Sequence, residues 1–259
     1  MRNNAPMAWI EKHGLKLHYL DQGAGEPVLL LHGLASHAEH SWQATSWISM
    51  LASSYRVIAP DLRGHGYSDK FESPQAYSLD WLLEDVIALL DHLQVAQVRV
   101  VGYSMGGWVA LGLAVHYPRR VRAVVAGGTG ISITQPSDPV RTERLAQSII
   151  HPNDDSTDDP GRAFRELCRR TGNDPQTIAI FLRRPRAGVD KQGVRGLAMP
   201  VLLVAGENDP FVHDLEAWRA LIPHAETCIL PRRHHMNALT DRGFKQAVVD
   251  FLAHLPAPT

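Results

Sequence analysis

Residues 98–107, VRVVGYSMGG, place a serine between glycines at the end of an apolar, β-branched run. The run predicts a buried strand, the residues after it predict a helix, and Ser104 falls on the sharp turn between them. Gly102 and Gly106 suit such a turn, because a Cβ at either position would collide with the neighbouring strand or helix backbone. The predicted helix start places the Met105 N–H close to the Ser104 oxygen. Ser104 is therefore the candidate nucleophile of a catalytic site.

Apolar runs and helical patterns alternate along most of the chain, which predicts an α/β fold with a parallel sheet. Residues 28–31, VLLL, are continuously apolar, as in strands that are covered on both faces. Residues 82–93 repeat apolar side chains at helical spacing, after a helix cap at Ser78 or Asp80. Further strands are predicted at 9–12, 15–20, 55–59, 121–125, 201–205 and 227–230, and further helices at 41–51, 105–117, 141–149, 163–170 and 244–252.

The alternation stops after the strand at 121–125 and resumes at the strand at 201–205. Residues 128–195 contain helical pieces and polar loops, which predicts a helical cap inserted over the edge of the sheet. The core is then formed by residues 1–127 and 196–259. Open parallel sheets bind ligands at the carboxyl ends of their strands, so we expect the site at that edge.

A serine hydroxyl needs a base within hydrogen-bond reach and a group that orients the base. The candidate bases are His234 and His235, which follow the last predicted strand. The candidate acid is Asp209, on the loop after the preceding strand, and Glu207 lies on the same loop. The chain order Ser104, Asp209, His235 is the order that one hydrolytic fold uses.

Four motifs carry a resemblance to a known family: HG at 32–33, DLRGHGYS at 61–68, GYSMGG at 102–107 and GEND at 206–209. Together they resemble the α/β-hydrolase family over nearly the whole chain. The resemblance implies a mostly parallel, doubly wound, eight-stranded sheet and a triad of Ser104, Asp209 and His235. It also implies an oxyanion hole formed by the backbone N–H groups of Leu34 and Met105. Loss of one such donor typically costs about 10²- to 10³-fold in rate.

The sequence departs from the family pattern near the catalytic histidine. Many members carry Gly-His with a glutamate five residues later, whereas here His234 stands at the glycine position and Thr240 at the glutamate position. We prefer His235 as the base because Leu239 then matches the apolar residue four positions further on.

Two other positions narrow the chemistry that the resemblance implies. The strand at 121–125 leads into Gly127-Gly128-Thr129-Gly130, so the alternative acid position of some members holds no carboxylate, which favours Asp209. The serine at position 104 argues against dehalogenases and epoxide hydrolases of the related aspartate type, because their nucleophile is a carboxylate.

The substrate pocket is predicted to include four further side chains: His32, Trp42, Tyr103 and Phe211. His32 also resembles, with His65, family residues that brace loops through hydrogen bonds, and we favour this role for both. His37 and His40 are expected beside the mouth of the pocket, because a metal site there would need more ligands in a fixed arrangement.

The amino-acid composition limits the classes of binding partner that we expect for the chain. Its 259 residues include 26 Lys and Arg and 27 Asp and Glu, so a formal net charge of -1 gives no global field that favours nucleic acid. No stretch reaches the roughly 18 apolar residues of a membrane span, and no secretion signal is recognised. Cys168 and Cys228 show neither disulfide nor metal-ligand spacing. We expect a cytoplasmic protein that acts on a small molecule without a metal or cofactor.

The resemblance predicts a serine hydrolase that cleaves a carboxylic ester or a related acyl compound. The same triad serves carbon–carbon bond hydrolysis of vinylogous diketones, lactone opening and cofactor-free perhydrolysis or haloperoxidation, so these reactions stay open. Some proteins of this fold act as ligand receptors or hold a triad with little turnover. Retention of Ser104, Asp209 and His235 argues against that second class of function.

Overall fold

One eight-stranded sheet organises the computed structural model, which describes residues 8–12, 14–151, 159, 161–185, 188–212 and 215–255. The strand order is β1-β2-β4-β3-β5-β6-β7-β8. The β1–β2 and β2–β4 pairs are antiparallel and all other neighbours are parallel, which confirms the mostly parallel, eight-stranded sheet that the resemblance implies. The strands are β1 Ala8–Lys12, β2 Leu15–Gln22, β3 Pro27–Leu31, β4 Arg56–Pro60, β5 Val98–Tyr103, β6 Val121–Gly127, β7 Val201–Gly206 and β8 Glu226–Leu230.

Helices cover both faces of this sheet. The α-helices of the described residues are α1 Trp47–Leu51, α2 Leu79–His92, α3 Met105–His116, α4 Pro139–Ile150, α5 Arg162–Thr171, α6 Pro175–Leu182, α7 Lys191–Arg195, α8 Leu215–Leu221, α9 His235–Ala238 and α10 Arg242–His254. Ser78 caps α2, as one of the two predicted alternatives. Among the residues whose structure is described, no helix is long and apolar enough to cross a membrane.

Strand β3 shows why the central strands are apolar throughout. Leu29 and Leu31 pack in a core that α2 and α3 cover, whereas Val28 and Leu30 pack in a second core that α1 and α10 cover. Successive side chains of a strand point to opposite faces, so a strand between two helical layers has no polar face. All four side chains are fully buried, which makes β3 a rigid support for the loop that follows it.

The predicted single helix over 41–51 is wrong. A π-helical turn covers Glu39–Gln43, Ser46 adopts a left-handed conformation with φ 65°, and α1 begins only at Trp47. Residues five positions apart point about 140° apart on a continuous helix. The break instead lets Trp42 and Trp47, both fully buried, meet edge to face with ring centroids 5.7 Å apart. Burial of both rings therefore explains the interruption.

Helices α4 to α7 lie within the segment predicted as a cap. The expected helices at 141–149 and 163–170 fall inside α4 and α5, whereas α6 and α7 were not predicted. A separate apolar cluster joins α4, α5 and α6, and it includes the core residue Ala35 on the loop after β3. These helices therefore pack directly on that loop.

Candidate active site

Ser104 occupies the turn between β5 and α3 in a strained backbone conformation. Its φ is 55° and its ψ is −113°, which residues with side chains rarely adopt. The Ser104 N–H donates to the Gly127 carbonyl at 2.8 Å, and the Ser104 carbonyl accepts from the Gly107 N–H at 3.0 Å. These bonds restrain Ser104 in a backbone conformation that an unrestrained turn would not keep.

The two flanking glycines permit this turn. A Cβ on Gly102 would overlap the backbone of Gly106, and a Cβ on Gly106 would overlap the carbonyl of Leu31 in β3. Strand β5, helix α3 and strand β3 approach one another this closely only without side chains at these positions. The steric requirement inferred from the sequence is therefore met in the structure.

A continuous chain of hydrogen-bonding groups connects Ser104, His235 and Asp209. The Nε2 of His235 lies 2.9 Å from the Ser104 Oγ, and its Nδ1 lies 2.9 Å from Asp209 Oδ2. The other oxygen of Asp209 accepts the Phe211 N–H at 2.9 Å. A carboxylate is only an acceptor, so the network assigns the proton of neutral His235 to Nδ1. Nε2 is then free to accept the serine proton.

The alternative acid and base lie outside this chain. Glu207 is exposed and accepts the Arg232 N–H at 2.7 Å. His234 is exposed as well, and its ring accepts the Met236 N–H at 3.2 Å as the cap of α9. The structure therefore brings Asp209 and His235, rather than these neighbours, to Ser104.

Tyr103 connects the serine turn to the histidine. Its hydroxyl donates to the backbone carbonyl of His235, and its ring centroid lies 5.4 Å from that of His235 and 6.0 Å from that of Phe244. Burial, with a smaller effect of the Asp209 charge, raises the pKa of the Tyr103 phenol. The hydroxyl therefore stays a neutral donor. Tyr103 was predicted to line the pocket, but its bond to the His235 carbonyl was not predicted.

His32 braces the loop that carries Leu34. It is fully buried, its Nδ1 lies 2.9 Å from the Gly33 carbonyl, and its Nε2 accepts the Leu62 N–H at 2.9 Å. Burial lowers the pKa of His32 to about 4, so the ring is neutral and fits both contacts. His65 is fully buried too, and burial lowers its pKa well below the usual value.

The two expected oxyanion donors lie on separate elements. Met105 is the first residue of α3, and the first N–H groups of a helix have no acceptor within it. Leu34 follows β3 and borders the cavity beside Ser104. Their role as oxyanion donors stays a prediction.

A cavity of about 110 Å³ opens beside Ser104. Its apolar wall includes α5 side chains, and its polar wall comes from the loop after β3 and the turn before α1. Ser36 Oγ lies 3.0 Å from His40 Nδ1 in that polar wall. Burial and the charges of His37 and Arg170 lower the pKa of His40. The lining residues are Gly33, Leu34, Ser36, His40, Ser41, Thr45, Tyr103, Ser104, Phe164, Leu167, His235, Met236, Leu239 and Thr240.

The predicted pocket side chains have different outcomes. Tyr103 borders the cavity, but Trp42 and His32 do not, because both are fully buried in the core beneath it. Phe211 lies outside the cavity wall and packs edge-on against His235 with ring centroids 4.6 Å apart. Phe164 and Leu167 of α5 were missed because no sequence pattern specifies where that helix packs.

Known proteins resemble this chain over nearly its full length. Residues 26–154 match the family model of the alpha/beta hydrolase fold. A 2-hydroxymuconate semialdehyde hydrolase of Pseudomonas sp. (strain CF600) is 39% identical over 268 residues, covering 94% of this chain and 93% of that protein. The structure of a meta-cleavage product hydrolase from Pseudomonas fluorescens IP01 has a TM-score of 0.71 at 27% identity, covering 96% of this chain and 98% of that one. The structure of an enol-lactonase from Burkholderia xenovorans LB400 has a TM-score of 0.79 at 22% identity, covering 95% and 100% of the two chains. This chain belongs to the alpha/beta hydrolase fold family.

Proposed function

We propose that the protein is a serine hydrolase that cleaves a small carboxylic ester through an acyl-enzyme intermediate. The observation that carries the proposal is the chain of two 2.9 Å contacts, from Ser104 Oγ to His235 Nε2 and from His235 Nδ1 to Asp209 Oδ2. Such contacts let the histidine take the serine proton while the carboxylate stabilises the charged ring that results.

The reaction follows from these contacts in two halves. Ser104 Oγ attacks the ester carbonyl as His235 takes its proton, and the N–H groups of Leu34 and Met105 bind the oxygen that becomes negative. The carbon–oxygen bond then breaks, and the alcohol leaves with the proton from His235. Water next attacks the acyl group, His235 takes a proton from the water, and the acid leaves as Ser104 regains its proton.

The cavity favours a short, uncharged substrate. Its volume of about 110 Å³ is small for a ligand pocket, and the described residues that line it include no Lys, Arg, Asp or Glu. The lowered pKa of His40 keeps that ring neutral near neutral pH. We therefore expect faster turnover of acetyl and butyryl esters than of long-chain esters.

Covalent labelling tests the nucleophile. Intact mass after incubation with a fluorophosphonate should show one adduct, and peptide mapping should place it on Ser104. Ser104→Ala should lose the adduct and at least about 10³-fold of p-nitrophenyl ester turnover. Ser73→Ala, an exposed serine, serves as the matched control. Full turnover by Ser104→Ala would contradict the proposal, and a wild-type protein without an adduct would favour the ligand-binding class.

Hydrolysis of a carbon–carbon bond beside a carbonyl is the second candidate function. The similarity to a 2-hydroxymuconate semialdehyde hydrolase, 39% identity over 94% of this chain, favours it. The same Ser104 and His235 would serve, since attack on an aldehyde or ketone carbonyl also forms an oxyanion. Loss of the absorbance of that semialdehyde, measured beside ester turnover on wild type and Ser104→Ala, decides between the two substrates.

A further inference from the structure

Asn173 connects the cap segment to two loops of the core. It lies between α5 and α6, and only 4% of its surface is exposed. Its Nδ2 lies 3.0 Å from the Ala35 carbonyl oxygen and 3.2 Å from that of Ser36, and its Oδ1 accepts the Gly66 N–H at 2.8 Å. A primary amide supplies both the donors and the acceptor that this position requires.

The backbone that Asn173 holds is strained and stands next to Leu34. Ala35 has φ 60°, a left-handed conformation that is uncommon for a residue with a side chain. Its carbonyl also accepts the Thr171 hydroxyl at 2.9 Å. Two side chains of the cap segment, Thr171 and Asn173, therefore stabilise the left-handed backbone of Ala35 in the loop after β3.

We propose that Asn173 is a positioning residue for the oxyanion site, because its buried amide fixes the Ala35 and Ser36 carbonyls and thereby the direction of the Leu34 N–H. The inference rests on the proposed function, in which Leu34 is a donor. Oxyanion donors act mainly on the transition state, so a misplaced donor lowers kcat more than it raises KM.

Asn173→Asp is the sharpest perturbation, since the two side chains have the same shape. The carboxylate keeps an acceptor for the Gly66 N–H, but its second oxygen faces two carbonyl oxygens in place of a donor. The control is Gln176→Glu, which introduces the same charge at an exposed position three residues further along. Thr171→Val adds no charge, and it removes both the other bond to the Ala35 carbonyl and the hydroxyl that accepts from Asn173 Nδ2 at 3.0 Å.

The experiment measures kcat and KM for p-nitrophenyl acetate, with active sites counted by the end point of fluorophosphonate labelling. Asn173→Asp should lower kcat per labelled site by about 10- to 100-fold and change KM by less than about threefold. Thr171→Val should lower kcat by a smaller factor, also with little change in KM. Gln176→Glu should match the wild type. Counting sites removes any contribution from unfolded protein.

The possible results separate this role from the function on which it rests. A wild-type kcat per site in Asn173→Asp, or a loss confined to KM, would overturn the role of Asn173 alone. If Asn173→Asp does not fold, Asn173→Ala, which removes the amide without adding charge, takes its place, and an unchanged kcat per labelled site in Asn173→Ala overturns the role. A wild-type protein that forms no Ser104 adduct would overturn the proposed function and this role together.

Discussion

His32 makes the stability of the folded protein depend on pH. Burial lowers its pKa from 6.5 to about 4, so the folded protein stays unprotonated there until the pH approaches 4. The unfolded chain takes up this proton near pH 6.5. Between these pH values the unfolded state binds more protons, so the free energy of unfolding falls as the pH is lowered.

The size of the effect follows from the two pKa values. Each pH unit below the unfolded pKa costs about 1.4 kcal/mol, which gives about 2 kcal/mol at about pH 5 and about 3 kcal/mol near pH 4. The pKa of His65 is lowered in the same direction, so the wild type should lose more than His32 alone accounts for. Only a comparison with a His32 variant isolates this contribution.

His32→Gln provides that comparison, because its amide oxygen can accept the Leu62 N–H and does not titrate. Urea unfolding, followed by tryptophan fluorescence, should be measured at about pH 7.5 and about pH 5. Between them the wild type should lose about 2 kcal/mol more than His32→Gln. His92→Gln, at an exposed histidine, should lose as much as the wild type. Equal losses in wild type and His32→Gln would refute the assignment of His32 as a buried neutral group.

Three further predictions concern the candidate active site. Gly106→Ala should lower the free energy of unfolding by at least about 1–3 kcal/mol, because the added Cβ would overlap strand backbone, and thermal melts should show the loss as a lower melting temperature. A Cβ at Gly196 has room, so Gly196→Ala should melt like the wild type. Asp209→Asn should lower kcat for ester hydrolysis by about 10⁴-fold, whereas Glu207→Gln should leave kcat within about twofold of the wild type. A loss of kcat in Glu207→Gln as large as that in Asp209→Asn would contradict the assignment of Asp209 as the acid. Tyr103→Phe leaves the buried histidine carbonyl without its donor, so the melting temperature should fall by about 2–10 °C, and an unchanged value would contradict the importance of that bond.

The core of the fold and the serine turn were predictable because local rules decide them. A strand between two helical layers must be apolar on both faces, so runs such as residues 28–31 can be recognised in the sequence as central strands. The Ser104 turn needs glycines where the backbones approach, and glycine is visible in the sequence. Asp209 and His235 follow from the positions of strand ends.

The remaining errors concern choices that tertiary packing makes. Residue type alone does not say whether Trp42 or His32 faces the cavity or the core, and both face the core. The missed helix α6 does carry local signals, since Asp174 caps it and Pro175 begins it. The contacts of Asn173 with the core loops connect positions far apart in sequence, so no local sequence pattern predicts them.

The wide spacing of the catalytic candidates along the chain affects how the protein folds. Ser104 and His235 are 131 residues apart, so their side chains meet only after the parallel strands β5 to β8 have paired in register. Each such pairing closes a long loop before its contacts form, so it is slow compared with helix formation. We therefore expect helix content to return early when the chain refolds, and turnover to return last. Regained activity is thus a stricter measure of completed folding than any spectroscopic signal of secondary structure.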